Sequence, residues 1–290
     1  MMSSLDTPVA TAGAIPFTKM HGIGNDYVYV DGGRHPIDDP PALARAISDR
    51  HFGVGSDGLI LVLPPDDPAR ADIRMRMFNA DGSEAEMCGN GVRCVCKYAF
   101  DRALTTASPM RIQTGAGVLS LTYVCDDLGR VERVRVDMGT PERDLDRLPV
   151  VRSAWPAIEA LLPGSVVVGM GNPHLVGFVS DVHAAPLTEL GPQLETHPAF
   201  PERINVHLVE VHCATEVTMR TWERGSGVTL ACGTGAAAVC VAGAVTQRTS
   251  RDILAHLPGG DLELSWDEST DHVFMTGGAS TVFDGTWSPS

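Results

Sequence analysis

The chain has 290 residues, of which 43% are hydrophobic, and carries a formal net charge of −14 at pH 7. This length and apolar content can form one large core or two medium cores, and two domains are the better expectation. The acidic balance argues against binding of nucleic-acid phosphates, which requires Lys and Arg clustered on one face. Lysine occurs only at Lys19 and Lys97, which argues weakly against a pyridoxal Schiff-base enzyme.

The N-terminal residues 1–15 have neither a basic start nor a continuous apolar core, so they do not resemble a secretory signal. We expect them to form a disordered leader. The longest apolar stretch, residues 236–245, is shorter than the ~20 residues that a membrane helix needs. Seven cysteines without an export signal favour reduced thiols over a disulfide framework. A cytoplasmic protein with no membrane partner is therefore expected.

Apolar residues recur with strand or helix periods along the whole chain. Period-two alternation predicts strands at residues 26–31, 73–77, 134–141, 217–222 and 273–278. Helices are predicted at residues 40–50, 91–104 and from 235 to about 248. Strands at 134–141 and 273–278 look like the closing strands of two similar units. The expected fold is α+β, with mainly antiparallel strands.

Two matched motifs, residues 88–91 (CGNG) and 232–235 (CGTG), each open one of these helices and lie 144 positions apart, almost half the chain. This spacing predicts two pseudo-symmetric halves, each a curved, mostly antiparallel sheet wrapped around a central helix. We place the halves at 16–138 and 139–276, and the tail 277–290 is a candidate to pack back on the first half. The active site is expected in the cleft between the halves.

A cysteine at a helix start lies in the partial positive charge of unpaired backbone N–H groups, which favours a thiolate. The small turns that follow, at Gly89 and Asn90 and at Gly233 and Thr234, leave N–H groups free to hold a substrate carboxylate. Two such turns facing each other would place one sulfur on each face of the adjacent carbon. That arrangement suits inversion of a stereocentre by proton removal and return, with no cofactor formally required.

The remaining cysteines favour structural roles. A single cysteine in a glycine turn is usually a small core residue, but a matched pair favours chemistry. Cys94, Cys96 and Cys240 lie on apolar helix stretches and are predicted to be core residues. A zinc site from Cys88, Cys94 and Cys96 lacks the paired C-x-x-C arms typical of such sites, so no metal is expected.

Seven blocks, in register from about Phe17 to Gly285, resemble the diaminopimelate epimerase family. They are 20–26 (MHGIGND), 78–84 (FNADGSE), 87–91 (MCGNG), 171–174 (GNPH), 202–205 (ERIN), 223–225 (ERG) and 231–235 (ACGTG). The resemblance implies a cofactor-independent epimerase that converts LL-2,6-diaminopimelate to the meso form, in lysine and peptidoglycan precursor biosynthesis. It also suggests a homodimer.

The resemblance assigns roles by matching position to position. Cys88 and Cys232 match the two catalytic thiols, and Glu223 and His174 resemble their acid/base partners. Which partner serves which thiol, and which thiol serves which stereoisomer, is left open. The side chains that resemble binders of the distal, unreacting amino-acid head are Asn25, Asn79, Asn172, Asn205 and Arg224, with Glu223 serving the ammonium group. A bidentate arginine suits a carboxylate, and amides suit a zwitterion. His207 receives no role.

The chain departs from the family pattern at two positions. Gly58 stands where the commoner family text has glutamine, so one expected side-chain contact to substrate is absent. Val228 follows Gly227 where the family usually has glutamate, so a polar group near Cys232 is expected to be lost. These departures bear on the tuning of the reaction more than on its class.

Two alternative functions stay open. A proline or 4-hydroxyproline racemase shares the two-thiol chemistry, although a proline-type ligand would leave Arg224 and the asparagines unpaired. The second alternative is a redox-sensing protein in which Cys88 and Cys232 form a reversible disulfide. This function would leave the asparagine and Glu223–Arg224 blocks unexplained.

Overall fold

A computed structural model describes residues 13–288. The first half of the described chain contains β1 (Ile15–Gly22), β2 (Asn25–Asp31), α1 (Pro40–Ser48), β3 (Gly58–Leu63), β4 (Ile73–Asn79), β5 (Glu84–Ala85), α2 (Gly89–Asp101), β6 (Met110–Thr114), β7 (Gly117–Cys125) and β8 (Val131–Asp137). Strand β2 runs parallel to β3, and β4 runs parallel to β6. The other neighbours in this half pair antiparallel.

The second half repeats this order after a 3₁₀ turn (Arg152–Ala154) and α3 (Trp155–Leu161). It contains β9 (Val166–Gly169), β10 (Pro173–Phe178), α4 (Leu187–Glu195), β11 (Asn205–Cys213), β12 (Glu216–Glu223), β13 (Gly227–Thr229), α5 (Gly233–Val245), β14 (Asp252–Leu257), β15 (Gly260–Trp266), β16 (Val273–Gly278) and β17 (Ser280–Trp287). The pairs β10–β11 and β12–β14 are parallel, and the other neighbours within this half are antiparallel. Strands β9 to β16 therefore repeat the pairing of β1 to β8, which confirms the two pseudo-symmetric, mostly antiparallel halves.

Two contacts join the halves into one sheet. The closing strands β8 and β16 pair antiparallel, so each half ends against the other. The last strand, β17, then returns to pair antiparallel with β1 of the first half. The C-terminal tail thus packs on the first half as far as Trp287, and residues 289–290 lie outside the described part of the chain.

Helices α2 and α5 occupy the centres of the two halves and are buried on nearly all sides. Helix α5 is almost entirely apolar, as expected of a buried helix, whereas α2 has Arg93 and Lys97 among its buried residues. Residues 89–99 of α2 are buried, as are ten of the thirteen residues of α5. Small side chains such as Ala237 and Ala238 let the surrounding strands approach α5 closely. The largest apolar cluster contains residues of both helices and of both halves, so the halves share their main core. Two smaller clusters belong to one half each.

The predicted strands and helices are present in the structure, but several of them begin or end at different residues than predicted. Strands are found at the five predicted places, although the strand expected at 134–141 ends at Asp137. The three predicted helices are present, and both cysteine helices begin two residues earlier than expected, at Gly89 and Gly233. The expected leader falls mostly on residues 1–12, which lie outside the described residues, and Ile15 already belongs to β1.

Helices α3 and α4 were not predicted from the sequence. Helix α4 contains Gly191 and Pro192, which usually interrupt helices. Gly191 is required by packing, since a β-carbon there would lie 2.5 Å from the Trp222 ring. Tertiary contact with β12 therefore overrides the local preference of the sequence.

A shared core predicts that damage in one half destabilises the whole chain. Leu121 in β7 is fully buried, whereas Leu128 is 75% exposed. We expect Leu121→Ala to lower the free energy of unfolding by about 2–5 kcal/mol, and Leu128→Ala to change it by less than about 0.5 kcal/mol. Urea unfolding followed by far-UV circular dichroism checks this. Two separate transitions in Leu121→Ala, one of them at the wild-type midpoint, would contradict a shared core.

Candidate active site

The two cysteines occupy equivalent positions at the starts of the central helices. Cys88 is the N-cap of α2 with φ −140° and ψ 117°, and Cys232 is the N-cap of α5 with φ −129° and ψ 105°. Extended backbone at the N-cap leaves the first N–H groups of the helix pointing outward. The matched dihedral angles show that both halves build the same turn around a thiol.

The two helix starts meet at their first glycines. A β-carbon built on Gly89 would lie 3.8 Å from the Cα of Gly233, and one built on Gly233 would lie 3.7 Å from the Cα of Gly89. The Met275 side chain packs 3.1–3.2 Å from both of these positions. The cysteine turns are therefore side by side, which brings the predicted pair of thiol-bearing turns into one site.

The Cys88 thiol is held by its own helix and by the β1–β2 turn. The N–H of Gly91 donates to Cys88 Sγ at 3.3 Å, and the Cys88 thiol donates to Asn25 Oδ1 at 3.4 Å. Burial raises the pKa of Cys88, while the N–H groups of Gly91 and Asn90 lower it. The thiol is thus protonated at neutral pH, but the helix start favours its ionised form.

Cys232 is 5% exposed and lies beside Glu223. Burial, and then the charge of Glu223, raise the pKa of this thiol well above the usual cysteine value. Burial also raises the pKa of Glu223, although hydrogen bonds from Thr229 and Cys232 lower it. The Thr229 hydroxyl donates to Glu223 Oε1 at 2.6 Å. Since the Glu223 charge also raises the pKa of Cys88, one carboxyl group influences both thiols.

The two departures from the family pattern have structural explanations. Val228 is 49% exposed, and the polar contact to Glu223 comes from the neighbouring Thr229. A side chain at position 58 has no space, since a β-carbon on Gly58 would lie 2.1 Å from the carbonyl oxygen of Phe78. The strand pair β3–β4 is therefore too close at this point for any side chain in the present backbone.

A buried chain of hydrogen bonds surrounds His174. Its Nε2 lies 2.8 Å from Asn172 Oδ1, and its Nδ1 lies 2.9 Å from Nε2 of His207, whose Nδ1 lies 3.0 Å from Thr221 Oγ1. Because Asn172 Oδ1 only accepts, His174 carries its proton on Nε2 and His207 carries its proton on Nε2. Burial lowers the pKa of His207 to about 3 and that of His174 well below the usual value. Both rings are therefore neutral.

This chain fixes Asn172 rather than a thiol. The Asn172 carbonyl is held by His174, so its amide nitrogen faces away from the ring. Both ring nitrogens of His174 are engaged, by Asn172 and His207. Glu223, by contrast, is a titratable side chain directly beside Cys232. The acid/base role of His174 stays a prediction.

The predicted substrate-binding asparagines fall into two groups. The side chains of Asn90 and Asn205 are 3% exposed and bond within the protein at both ends. Asn205 donates to the Pro173 carbonyl at 2.9 Å and accepts from the Arg224 N–H at 3.0 Å. These two asparagines brace the site.

The other group is more open. Asn25, Asn79 and Asn172 are half-buried and lie at the start of β2, the end of β4 and the β9–β10 turn. Arg224 lies just after β12 and is exposed, and its guanidinium donates to the Glu202 carbonyl at 2.9 Å. These side chains are more exposed than those of Asn90 and Asn205, although the Asn25 amide also bonds within the protein at both ends, to Cys88 and Asp57. Their substrate-binding roles stay predictions.

A charged network behind Asn25 was missed by the sequence analysis. Asp57 accepts from Asn25 Nδ2 at 2.7 Å and from Arg50 at 2.9 Å. Arg50 also donates to Asp26 at 2.8 Å, and Asp26 pairs with Lys19. The network orients the amide that accepts from the Cys88 thiol. Asp26 belongs to the block 20–26, but none of the quoted blocks contains Lys19, Arg50 or Asp57.

His207 was also missed. It lies in β11 and carries no local motif, but a β-carbon on Gly235 would lie 2.3 Å from its ring. The glycine in the second cysteine turn thus leaves room for His207. Only the fold brings this ring beside the first turn of α5.

The diaminopimelate epimerase family model matches residues 17–143 and 166–282, which include both cysteine turns. The diaminopimelate epimerase of Desulfovibrio desulfuricans is 49% identical over 286 residues, covering 94% of this chain and 98% of the relative. That of Acetivibrio thermocellus is 48% identical over 275 residues, covering 93% and 97%. The chain belongs to the diaminopimelate epimerase family. It is accordingly an isomerase of the epimerase type.

Solved structures support the fold. A PhzF-family phenazine biosynthesis protein from Bacillus anthracis matches with a TM-score of 0.69 at 16% identity, covering 94% of this chain and 99% of that chain. A hydroxyproline epimerase from Agrobacterium vitis, solved with trans-4-hydroxy-L-proline, matches with a TM-score of 0.63 at 16% identity, covering 94% and 91%. At such identities the likeness shows the fold alone. Among residues 13–288, no helix combines the length and apolarity needed to cross a bilayer.

The neutral histidine pair predicts a pH dependence of stability. An unfolded histidine binds a proton near pH ~6.5, whereas folded His207 does so at about 3. Stability is therefore lost as the pH falls below ~6.5, by up to about 1.4 kcal/mol per pH unit for each such histidine. We expect His207→Gln to have a shallower loss between about pH 6 and pH 4, measured by urea unfolding.

His256 is the control, because its pKa is shifted in the opposite direction from that of His207. Its hydrogen bonds to Asp261 and then Glu216 raise its pKa, so it stabilises the fold at low pH and this contribution disappears as the pH rises through its folded pKa. His256→Gln should lower stability at acid pH by a nearly constant amount and leave the slope between about pH 6 and pH 4 close to the wild-type value, because the His256 contribution is almost complete below the unfolded pKa of ~6.5. An unchanged acid slope in His207→Gln would contradict a neutral buried pair.

Proposed function

We propose that the protein converts LL-2,6-diaminopimelate to meso-diaminopimelate by a cofactor-independent, two-cysteine proton transfer. The observation that carries this proposal is the contact of the two cysteine turns at Gly89 and Gly233. Membership of the family supports the substrate. In this proposal, the reaction belongs to lysine and peptidoglycan precursor biosynthesis, and the enzyme acts in the cytoplasm as a homodimer.

The reacting amino-acid head is held between the two turns. Its carboxylate accepts hydrogen bonds from the free N–H groups of the first turns of α2 and α5, where Gly89, Asn90, Gly233 and Thr234 lie. One sulfur, as a thiolate, takes the α-proton, and the electron pair of the broken C–H bond stays on the carbon framework. The helix N–H groups stabilise the charge that spreads onto the carboxylate.

The second sulfur completes the inversion. As a thiol it gives its proton to the opposite face of the carbon and becomes a thiolate, so the two sulfurs exchange protonation states in each turnover. Glu223 lies within hydrogen-bonding reach of Cys232 and has a raised pKa. It is therefore suited to exchange a proton with Cys232 and to balance the substrate ammonium group.

The distal head of the substrate explains the polar side chains around the cleft. Arg224 offers a planar fork for a second carboxylate. Asn172 presents its amide nitrogen because His174 holds its carbonyl. A ligand with one amino-acid head, such as proline, would leave these donors without partners.

The two lysines of the chain support a mechanism that uses no Schiff base. Lys19 pairs with Asp26 and donates to the Gly55 carbonyl. Lys97 pairs with Asp101 at 2.7 Å and donates to the Val131 carbonyl at 2.5 Å. Each amine is buried and engaged by a carboxylate and a backbone carbonyl, so it is not free to act as a nucleophile.

The proposal predicts that each of the two thiols is essential. Cys88→Ala and Cys232→Ala should each lower kcat for diaminopimelate by about 10²–10⁴-fold, because each removes the acid or base on one face. Interconversion of the LL and meso forms is measured by chiral chromatography, with L-proline and trans-4-hydroxy-L-proline as comparison substrates.

Cys96→Ala and Cys240→Ala are matched controls. Both residues are fully buried in the core of the same two helices, as the sequence analysis predicted. They should keep kcat within ~2-fold even where the folded state loses about 1 kcal/mol. A fully active Cys88→Ala, or turnover of proline but not of diaminopimelate, would contradict the proposal.

A further inference from the structure

Arg93, in the second turn of α2, is a buried cation with no role in the chemistry described above. Its side chain is fully buried and among the largest fully buried side chains of the described residues. Within residues 13–288 it has no carboxylate partner. Burial of an arginine that lacks a carboxylate is costly, and burial lowers its pKa. A cost of this kind at the centre of the protein points to a function.

The guanidinium holds the first turn of α2 against the end of β16. It donates to the Gly89 carbonyl at 3.1 Å, to Asn90 Oδ1 at 2.9 Å and to the Gly278 carbonyl at 3.3 Å. Two glycines make room for it. A β-carbon on Gly22 or on Gly277 would lie 3.1 Å from its nitrogens.

Arg93 also determines what Asn90 can do. Because the guanidinium only donates, it fixes Oδ1 of Asn90 toward itself and turns the Asn90 amide nitrogen to the other side. That nitrogen donates to the carbonyl of Ala231 at 3.3 Å. Ala231 immediately precedes Cys232. A continuous chain of hydrogen bonds therefore runs from Arg93, through the first cysteine turn, to the second.

The charge of Arg93 acts on Cys88 in the direction that favours ionisation, lowering the pKa that burial raises. The other groups near this thiol do not provide a positive charge. Glu223 of β12 raises its pKa, and the buried Tyr27, Tyr29 and Cys94 carry no charge when protonated. Because Arg93 donates to the carbonyl of Gly89, the residue after Cys88, it places a cation close to this thiol, where its effect on the pKa adds to the larger effects of the Gly91 and Asn90 N–H groups.

We propose that Arg93 is a positioning residue that locks the two cysteine turns in register and places a buried positive charge beside Cys88. The inference rests on the proposed two-cysteine function and assigns part of its machinery. It predicts that loss of the charge changes the ionisation of Cys88, and that loss of the planar fork misaligns the turns.

The first test measures Cys88 without substrate. The rate of its alkylation by iodoacetamide is followed against pH by peptide mass spectrometry in the wild type, Arg93→Met and Lys97→Met. The thiolate is the reactive form, so Arg93→Met should shift the alkylation midpoint upward and slow the reaction at about pH 8 by at least ~10-fold. An unshifted midpoint would overturn the role of the charge.

Lys97→Met is the matched control. Lys97 is also a buried cation of α2, but it bonds to Asp101 and Val131 rather than to either cysteine turn. Its removal tests the general effect of losing a buried charge from this helix, and the Cys88 midpoint should stay at the wild-type value. An equal shift in Lys97→Met would show that Arg93 has no specific effect on Cys88.

The second test uses Arg93→Lys, which keeps the charge but cannot form the three-way fork. We expect kcat for diaminopimelate to fall by at least ~10-fold while KM stays within ~2-fold, because the substrate contacts remain. Wild-type kcat would overturn the positioning role, and this variant gives an answer even where Arg93→Met does not fold. The alkylation test needs no substrate. Its result therefore decides the role of the Arg93 charge whether or not the protein epimerises diaminopimelate, and failure of one proposal can be told from failure of the other.

Discussion

The close approach of two helix amino-termini is the constraint on which the structure depends. Gly89 and Gly233 have no side chains, so the first turns of α2 and α5 come together with Met275 packed against both. A β-carbon at either position would press first on the Met275 side chain, at 3.1–3.2 Å, and would meet the other turn at a contact distance of 3.7–3.8 Å. The duplicated sheet serves this contact, because β8 and β16 close the halves against each other and direct both central helices to the same place.

Burial and charge act in opposite directions at this contact. The thiols are shielded from water, which raises the pKa of both and keeps them protonated at neutral pH. The groups that favour ionisation are fixed parts of the protein: backbone N–H groups at the helix starts and, as we infer, the buried charge of Arg93. A fixed environment of this kind stabilises charge that develops during a reaction better than mobile water does. The neutral histidine pair performs a related task by holding Asn172 in one orientation.

Sequence patterns predicted the repeated elements because both period-two strands and the cysteine motifs are local signals. They also placed Cys88 and Cys232 at the helix starts where the structure has them. They could not predict α4, where packing of Gly191 against Trp222 overrides helix preference. Nor could they identify Arg93, His207 or Asp57 as parts of the site, since each acts through partners distant in sequence. The sequence shows that residues 90 and 205 are asparagines, but it does not show that both ends of each amide form hydrogen bonds within the protein.

Incubation of LL-diaminopimelate with the reduced enzyme in heavy water, without added cofactor, is the most direct test of two-base proton transfer. Mass spectrometry and chiral analysis of the product report the isotope and the configuration at the α-carbon. We predict meso product with one deuterium at the inverted carbon, and little deuterium in unreacted LL substrate during the initial phase, since the returned proton comes from the opposite, solvent-equilibrated thiol. Meso product without deuterium would contradict the account, because it would require return of the same proton that was removed.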